Sequence, residues 1–247
     1  MRYFLELAYH GAAYHGWQRQ PNAVSVQEKV ETALGIVTRK EIEVVGAGRT
    51  DTGVHAKQLY CHFDVEGELD QEMLFRMNSV LPKDIAAKSL QRVQPEAHAR
   101  FDALSRSYEY HVVREKDPFS LGSAYFVKRD LELEKMKTAA EILMEYSDFK
   151  CFSRSRTDVK TYTCDISQAV WEENEKGLVF HIKADRFLRN MVRAIVGTLL
   201  EIGLGKMEVE DLRRVIESRS RSEAGASVPA HGLYLTRVVY PENIFLD

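Results

Sequence analysis

Apolar and polar residues alternate from Arg2 to Tyr9, the period of a half-buried strand. A glycine- and proline-bearing stretch, 10–24, follows. Ser25 then opens a helix, with Glu28 three residues on as a capping box. Val26, Val30, Ala33, Leu34 and Val37 form one stripe along it. Glu41 to Val45 is a second predicted strand, ending in the glycine-rich turn 46–54. Gln58 to Val65 alternates again. Asp70 caps a short predicted helix that runs to about Val80 and stops before Pro82, and Ile85 to Val93 is a further strand. The order is β-α-β-β-α-β, that of a ferredoxin-like unit.

The second half repeats the order without repeating the sequence. Ser107 to Val113 is a predicted strand and Leu131 to Tyr146 a helix. Cys164 to Glu172 and Leu178 to Ala184 make a hairpin around Gly177. Phe187 to Ile202 is a helix, an extra helix spans about 208–217, and Leu233 to Tyr240 closes as a strand. The pattern predicts an α+β fold: two ferredoxin-like halves, 1–103 and 104–247, sharing a largely antiparallel sheet with a central cleft. The Arg/Ser-rich run 218–222 is read as a solvated loop.

Composition narrows the function. The 247 residues carry 34 Lys and Arg against 37 Asp and Glu, a net charge of −3. Bulk positive charge is therefore not how this chain would hold a nucleic acid, although a local basic surface is compatible with it. The three cysteines, Cys61, Cys151 and Cys164, have no CxxC spacing, which argues against a disulfide framework or zinc ribbon. No apolar stretch approaches the length of a membrane span. With no signal-like segment at the N-terminus, a cytoplasmic protein without a membrane partner is expected.

The densest chemical signal is Gly46-Ala47-Gly48-Arg49-Thr50-Asp51-Thr52-Gly53-Val54-His55-Ala56. Glycines permit positive φ and close backbone approach, so a turn between two strands would present Asp51 from a rigid support. A dinucleotide fingerprint begins with Gly46-x-Gly48, but Asp51 stands where its third glycine belongs, and a strand follows instead of a helix. Asp51-Thr52-Gly53 is also the triplet of aspartic proteases. That chemistry needs two carboxylates sharing a proton; no second triplet occurs, so a protease would have to be a homodimer. Arg49 favours an ionised Asp51 instead.

The whole undecapeptide resembles the active-site motif of the tRNA pseudouridine synthase A family. Four further segments resemble that family's motifs in the same order: Tyr9 to Gln20, Ser107 to Tyr110, Phe187 to Gly197, and Gly232 to Leu235. The resemblance implies isomerisation of uridine in the anticodon stem-loop of tRNA, at positions 38 to 40, by a homodimer. It implies Asp51 as the catalytic nucleophile, leaving open whether it attacks C1′ or C6 or removes the 2′ proton. It also implies that Tyr108 stacks on the uracil, that Arg193 pairs with the catalytic aspartate, and that Leu233 lies in the substrate site. Arg49 is expected to occupy the space left by a flipped base. Pseudouridylation involves no redox step and no net hydrolysis, so no cofactor or metal is expected.

Arg186, Arg189 and Arg193 are spaced i, i+3, i+7 and would share one face of the predicted helix. Lys150 to Arg193 holds nine Lys and Arg against six Asp and Glu. There Phe149, Phe152 and Tyr162 interleave with Arg154, Arg156 and Lys160, a composition suited to unpaired RNA. Tyr110 is assigned to the core. The rival reading is a non-catalytic RNA-binding protein of ferredoxin-like fold, although the aromatic RNP signature is absent.

Overall fold

A computed structural model describes residues 1–154 and 160–246. The chain forms two compact units, Met1–Leu104 together with the stretch from Tyr234 onward, and Ser105–Leu233.

In the first unit β1 (Arg2–Tyr9) lies between β3 (His55–Asp64) and β4 (Ile85–Val93), antiparallel to both. The other edge of β3 is divided. Its C-terminal end pairs with the two-residue β2 (Val45–Gly46). Its N-terminal end pairs in parallel with β9 (Leu233–Val239), His55 opposite Tyr234 and Ala56 opposite Leu235. Phe4, Leu5, Leu7, Leu34, Leu59 and Phe63 are the largest aliphatic and phenyl side chains fully buried here. Helix α1 (Val26–Thr38) begins as its sequence directs: Ser25 Oγ accepts the Glu28 amide at 3.2 Å. Helix α2 (Met73–Val80) starts later than Asp70, whose carboxylate pairs with Arg76 instead of capping.

The strand predicted over 41–45 is mostly absent. Val44 is drawn to α1: its amide donates to Glu31 Oε1 (3.2 Å) and its carbonyl accepts from Gln27 Nε2 (3.0 Å). Those side chains satisfy the main chain that a ladder would otherwise have used.

In the second unit β8 (Gly177–Ala184) runs antiparallel between β5 (Ser105–Val113) and β7 (Ile166–Asn174). A short β6 (Tyr125–Phe126), invisible in the pattern, adds in parallel to β5. The β7–β8 hairpin turns on Asn174, whose Oδ1 accepts the Lys176 and Gly177 amides, and on Gly177 at φ 145°. Helix α3 (Leu133–Ile142) continues as a 3-10 turn to Glu145 and packs on α4 (Met191–Gly203). Helix α5 (Asp211–Ser218) follows. Each unit thus has the expected α+β character and a largely antiparallel sheet.

Helix α4 starts four residues later than predicted. Asn190 is left-handed, φ 67°, which ends any helix upstream. Arg186 and Arg189 therefore precede the helix and share no helical face with Arg193.

Candidate active site

The glycine-rich turn is held from several sides. Gly46 sits on the indole of Trp17; a Cβ there would lie 2.4 Å from Trp17 Nε1. The Ala47 amide donates to Tyr60 O at 2.7 Å. Thr50 is buried, and its hydroxyl bonds the Tyr9 hydroxyl at 2.9 Å. The Thr50 carbonyl accepts the Trp17 amide at 3.3 Å. Gly16, left-handed at φ 86°, comes so near that a Cβ would lie 2.3 Å from that carbonyl. Beyond the aspartate, the Val54 amide closes onto Asp51 O at 3.1 Å, and Gly53 takes the positive φ of 80° that such a turn needs at its third position. The Gly53 amide reaches Tyr14 O at 3.3 Å. Asp51 is thus half-buried between two anchored neighbours, while Arg49 is exposed.

Apart from the Tyr60 and Asp51 carbonyls, these anchors come from one segment, Tyr9 to Trp17, itself tied down from behind. Tyr14 Oη donates to Asp84 Oδ1 at 2.6 Å, and the His10 amide to Asp84 O at 2.9 Å. Burial, then the Asp84 carboxylate, raises the Tyr14 phenol above its ordinary range, so it stays a donor. His55 ends the turn. It is buried, its ring stacks on Tyr234 at 4.6 Å, and His10 lies against it at 4.2 Å. Its Nδ1 accepts the Gly11 amide at 2.9 Å, so that nitrogen carries no proton and the neutral ring holds its hydrogen on Nε2. Tyr9, Tyr14, Trp17 and His55 support the turn without having been assigned a role from sequence. The signal for the first three was the aromatic, glycine-spaced stretch 9–17; His55 stands in the turn motif itself.

In the second unit Tyr108 is half-exposed on β5, its ring edge-to-face with Phe187 at 5.2 Å. Tyr110 is fully buried as expected and donates to Pro229 O at 2.8 Å. Arg193 lies in the first turn of α4; its Nε donates to Val228 O at 2.8 Å, and the Val228 amide returns to Arg193 O at 3.2 Å. Leu233 is buried at the start of β9. The Arg154 amide bonds Arg189 O at 3.1 Å, which brings those two exposed residues together. Arg186 is half-buried, Lys160 is exposed, and Arg156 lies outside the described residues. The aromatics of that segment divide. Phe149 and Phe152 are wholly buried and present nothing to RNA, whereas Tyr162 is half-exposed beneath Lys150 Nζ, 5.5 Å from its ring centre. Of the three interleaved aromatics, one reaches the surface.

Among the described residues no three His, Cys, Asp or Glu side chains converge to hold a metal ion. The three cysteines are buried, and burial pushes the thiols of Cys151 and Cys164 up to about 12. No helix among the described residues is long and apolar enough to cross a membrane.

Residues 139–241 match the family described as tRNA pseudouridine synthase. Across nearly its whole length the chain is 52% identical to tRNA pseudouridine synthase A of Bacteroides fragilis, covering 99% of this chain and 98% of that protein. The protein of the same name from Porphyromonas gingivalis is 50% identical, with 99% of each chain covered. This chain belongs to the tRNA pseudouridine synthase A family. The kinship extends to a more distant member from Acetivibrio thermocellus, 38% identical over 96% of this chain and 98% of that one. The family match at 139–241 takes in Arg193 and Leu233, and the full-length relatives also span the Asp51 turn of this pseudouridine synthase.

Proposed function

We propose that this tRNA pseudouridine synthase isomerises uridines 38 to 40 of the anticodon stem-loop, with Asp51 as nucleophile and without a cofactor. The reaction breaks the N1–C1′ bond, turns the uracil, and joins C5 to C1′; the C5 proton leaves and N1 gains one. Nothing is oxidised, so the work is nucleophilic attack, base positioning and proton transfer. The observation that carries this reading is the turn itself. Asp51 is half-exposed between Thr50 and Gly53, both fixed through the main chain. A nucleophile held on a rigid support needs little reorganisation to attack.

In this reading Tyr108 is the stacking platform, Arg193 an ionic partner in the site, Leu233 an apolar wall, and Arg49 the side chain that fills the space of the flipped base. Arg154, Arg156, Lys160, Arg186 and Arg189 contact phosphates. The active species is a homodimer in the cytoplasm, by kinship with the family.

The deciding experiment is release of tritium from tRNA carrying 5-tritiated uridine. The wild type should release label from positions 38 to 40 alone. Asp51→Asn should release none while still binding tRNA, since the amide keeps the shape and loses the nucleophile. Sustained release by a pure Asn variant would remove Asp51 from its role, and release from other positions would reassign the substrate. A protein that binds tRNA and releases no label would be a binding module.

A further inference from the structure

The serine- and arginine-rich run 218–222 has the composition of a solvated loop, and the structure gives its Arg221 a different task. Arg221 Nη1 donates to the carbonyls of Ala224 (3.1 Å) and Gly225 (3.0 Å), and Nη2 donates to Ser227 Oγ (2.9 Å). These acceptors belong to a strap, residues 224–228, laid across the N-terminal half of α4. A Cβ on Gly197 would lie 1.8 Å from Ala226 O, so helix and strap touch through backbone. The Gly225 amide donates to Thr198 Oγ1 at 2.9 Å, and Asn190 Nδ2 to Ser227 Oγ at 2.6 Å. One residue beyond Ser227, Val228 bonds Arg193 in both directions, through the side-chain Nε and the main chain.

A guanidinium is planar, so fixing its Nε–H on one carbonyl fixes the plane in which its remaining donors lie. The position of Val228 O thus sets where the Arg193 fork points. Val228 sits at the end of a strap that has no ladder of its own, and Arg221 supplies three of the bonds that shape it. We propose that Arg221 is a positioning residue for the isomerisation: it holds the 224–228 strap so that Val228 fixes the guanidinium of Arg193 for substrate. This rests on the reading of Arg193 as a site residue. Lysine cannot replace the fork, because a single ammonium does not reproduce three donors spread over a plane.

The test is a double-mutant cycle in the full-length protein, with Arg221→Lys, Arg193→Lys and the pair. Tritium-release kcat and KM, tRNA affinity by filter binding, and thermal midpoint are read for each. We expect Arg221→Lys to lower kcat by roughly 10- to 100-fold, as a displaced catalytic contact does, with KM and affinity within about threefold. The double variant should be no slower than Arg193→Lys alone by more than about threefold, because residues acting as one unit are not additive. Guanidinium ion at millimolar concentration should raise the kcat of Arg221→Ala. Ser227→Ala removes one acceptor of the fork and, should either Arg221 variant fail to fold, enters the same cycle with the same expectation. Multiplying losses in the double variant would overturn the proposal, as would wild-type kcat in Arg221→Lys. Wild-type turnover in Arg193→Lys would instead overturn the assignment of Arg193, and the proposal with it.

Discussion

The main-chain amide of Gly11 donates to Nδ1 of His55 at 2.9 Å, joining the loop after the first strand to the end of the Asp51 turn. Gly11 also comes so near the turn that a Cβ on it would lie 2.0 Å from Val54 O. The bond needs an unprotonated Nδ1 and a residue that can accept there. His55→Phe keeps a ring against Tyr234 and strands the Gly11 amide, which costs about 1–3 kcal/mol when such a donor is buried. His55→Asn keeps an acceptor near the Nδ1 position. We expect kcat for tritium release to be at least about tenfold higher in the Asn than in the Phe variant. Nitrogen NMR of the wild type should show the Nε2–H tautomer; an Nδ1–H signal would contradict the hydrogen bond.

Gly46 and Gly48 should part company when each is changed to alanine. At Gly46 the new methyl meets the Trp17 indole, whereas at Gly48 it meets nothing within 4 Å. Gly46→Ala should lose about 1–3 kcal/mol of stability to overpacking. Gly48→Ala should stay within about 0.5 kcal/mol of wild type. If the open space over Gly48 is where RNA backbone approaches, that variant should show raised KM or lowered kcat in a fully folded protein. Unchanged kinetics would take Gly48 out of the RNA surface.

His62 gives the stability a defined pH dependence. Burial first, then the neighbouring His98 and Arg2, hold its imidazole at about 4, below the ordinary 6.5. Its Nδ1 accepts the Ala99 amide at 3.1 Å. Between those two values the unfolded chain binds the proton and the folded chain does not. His62's contribution is therefore complete above pH 6.5 and is lost as the pH falls toward 4, at up to about 1.4 kcal/mol per pH unit. His62→Asn retains an acceptor for Ala99 and removes the titration. Denaturant midpoints between pH 7 and 5 should fall less steeply in that variant than in wild type; parallel slopes would assign the effect elsewhere.

Binding to tRNA should weaken with salt despite the net charge of −3. Arg154→Ala and Lys160→Ala, both at exposed positions, should each flatten the plot of log affinity against log salt by about one unit at most, with similar losses for all tRNAs. Salt-insensitive binding in the wild type would move the RNA surface away from 150–193.

Where local pattern dictates structure, the sequence was readable. The alternation of β1, the stripe and cap of α1, and the Gly177 hairpin appear where expected. Three failures share one cause, contacts between residues distant in sequence. The strand expected over 41–45 was displaced by Gln27 and Glu31. Helix α4 was drawn too long because the left-handed Asn190 is held by Ser227, thirty-seven residues on. Phe149 and Phe152 sit among basic residues in sequence and inside the core in space. At the candidate site the Asp51 turn was legible as a motif. Its support was not, because bonds from Tyr9, Tyr14 and Trp17 to Thr50 and Gly53 leave no periodicity. The clamp by Arg221 was hidden in the same way, behind a composition typical of solvent.

The return of β9 to the first unit sets an order of assembly during synthesis. Tyr240 packs its ring on Phe4 and Tyr60, at 5.0 and 5.3 Å between centres, and donates to Ala99 O through its hydroxyl at 2.5 Å. Tyr234 backs His55. A nascent chain that has emerged only through Leu104 has every residue of the Asp51 turn, yet lacks the strand that covers β3 at His55 and Ala56. The unit begun first is therefore finished last, after the whole of Ser105–Leu233 has left the ribosome. Until then Phe4 and Tyr60 lack their Tyr240 neighbour, and a chain stalled before Tyr234 would present them to chaperones, with the Asp51 turn complete in sequence and unsupported in space.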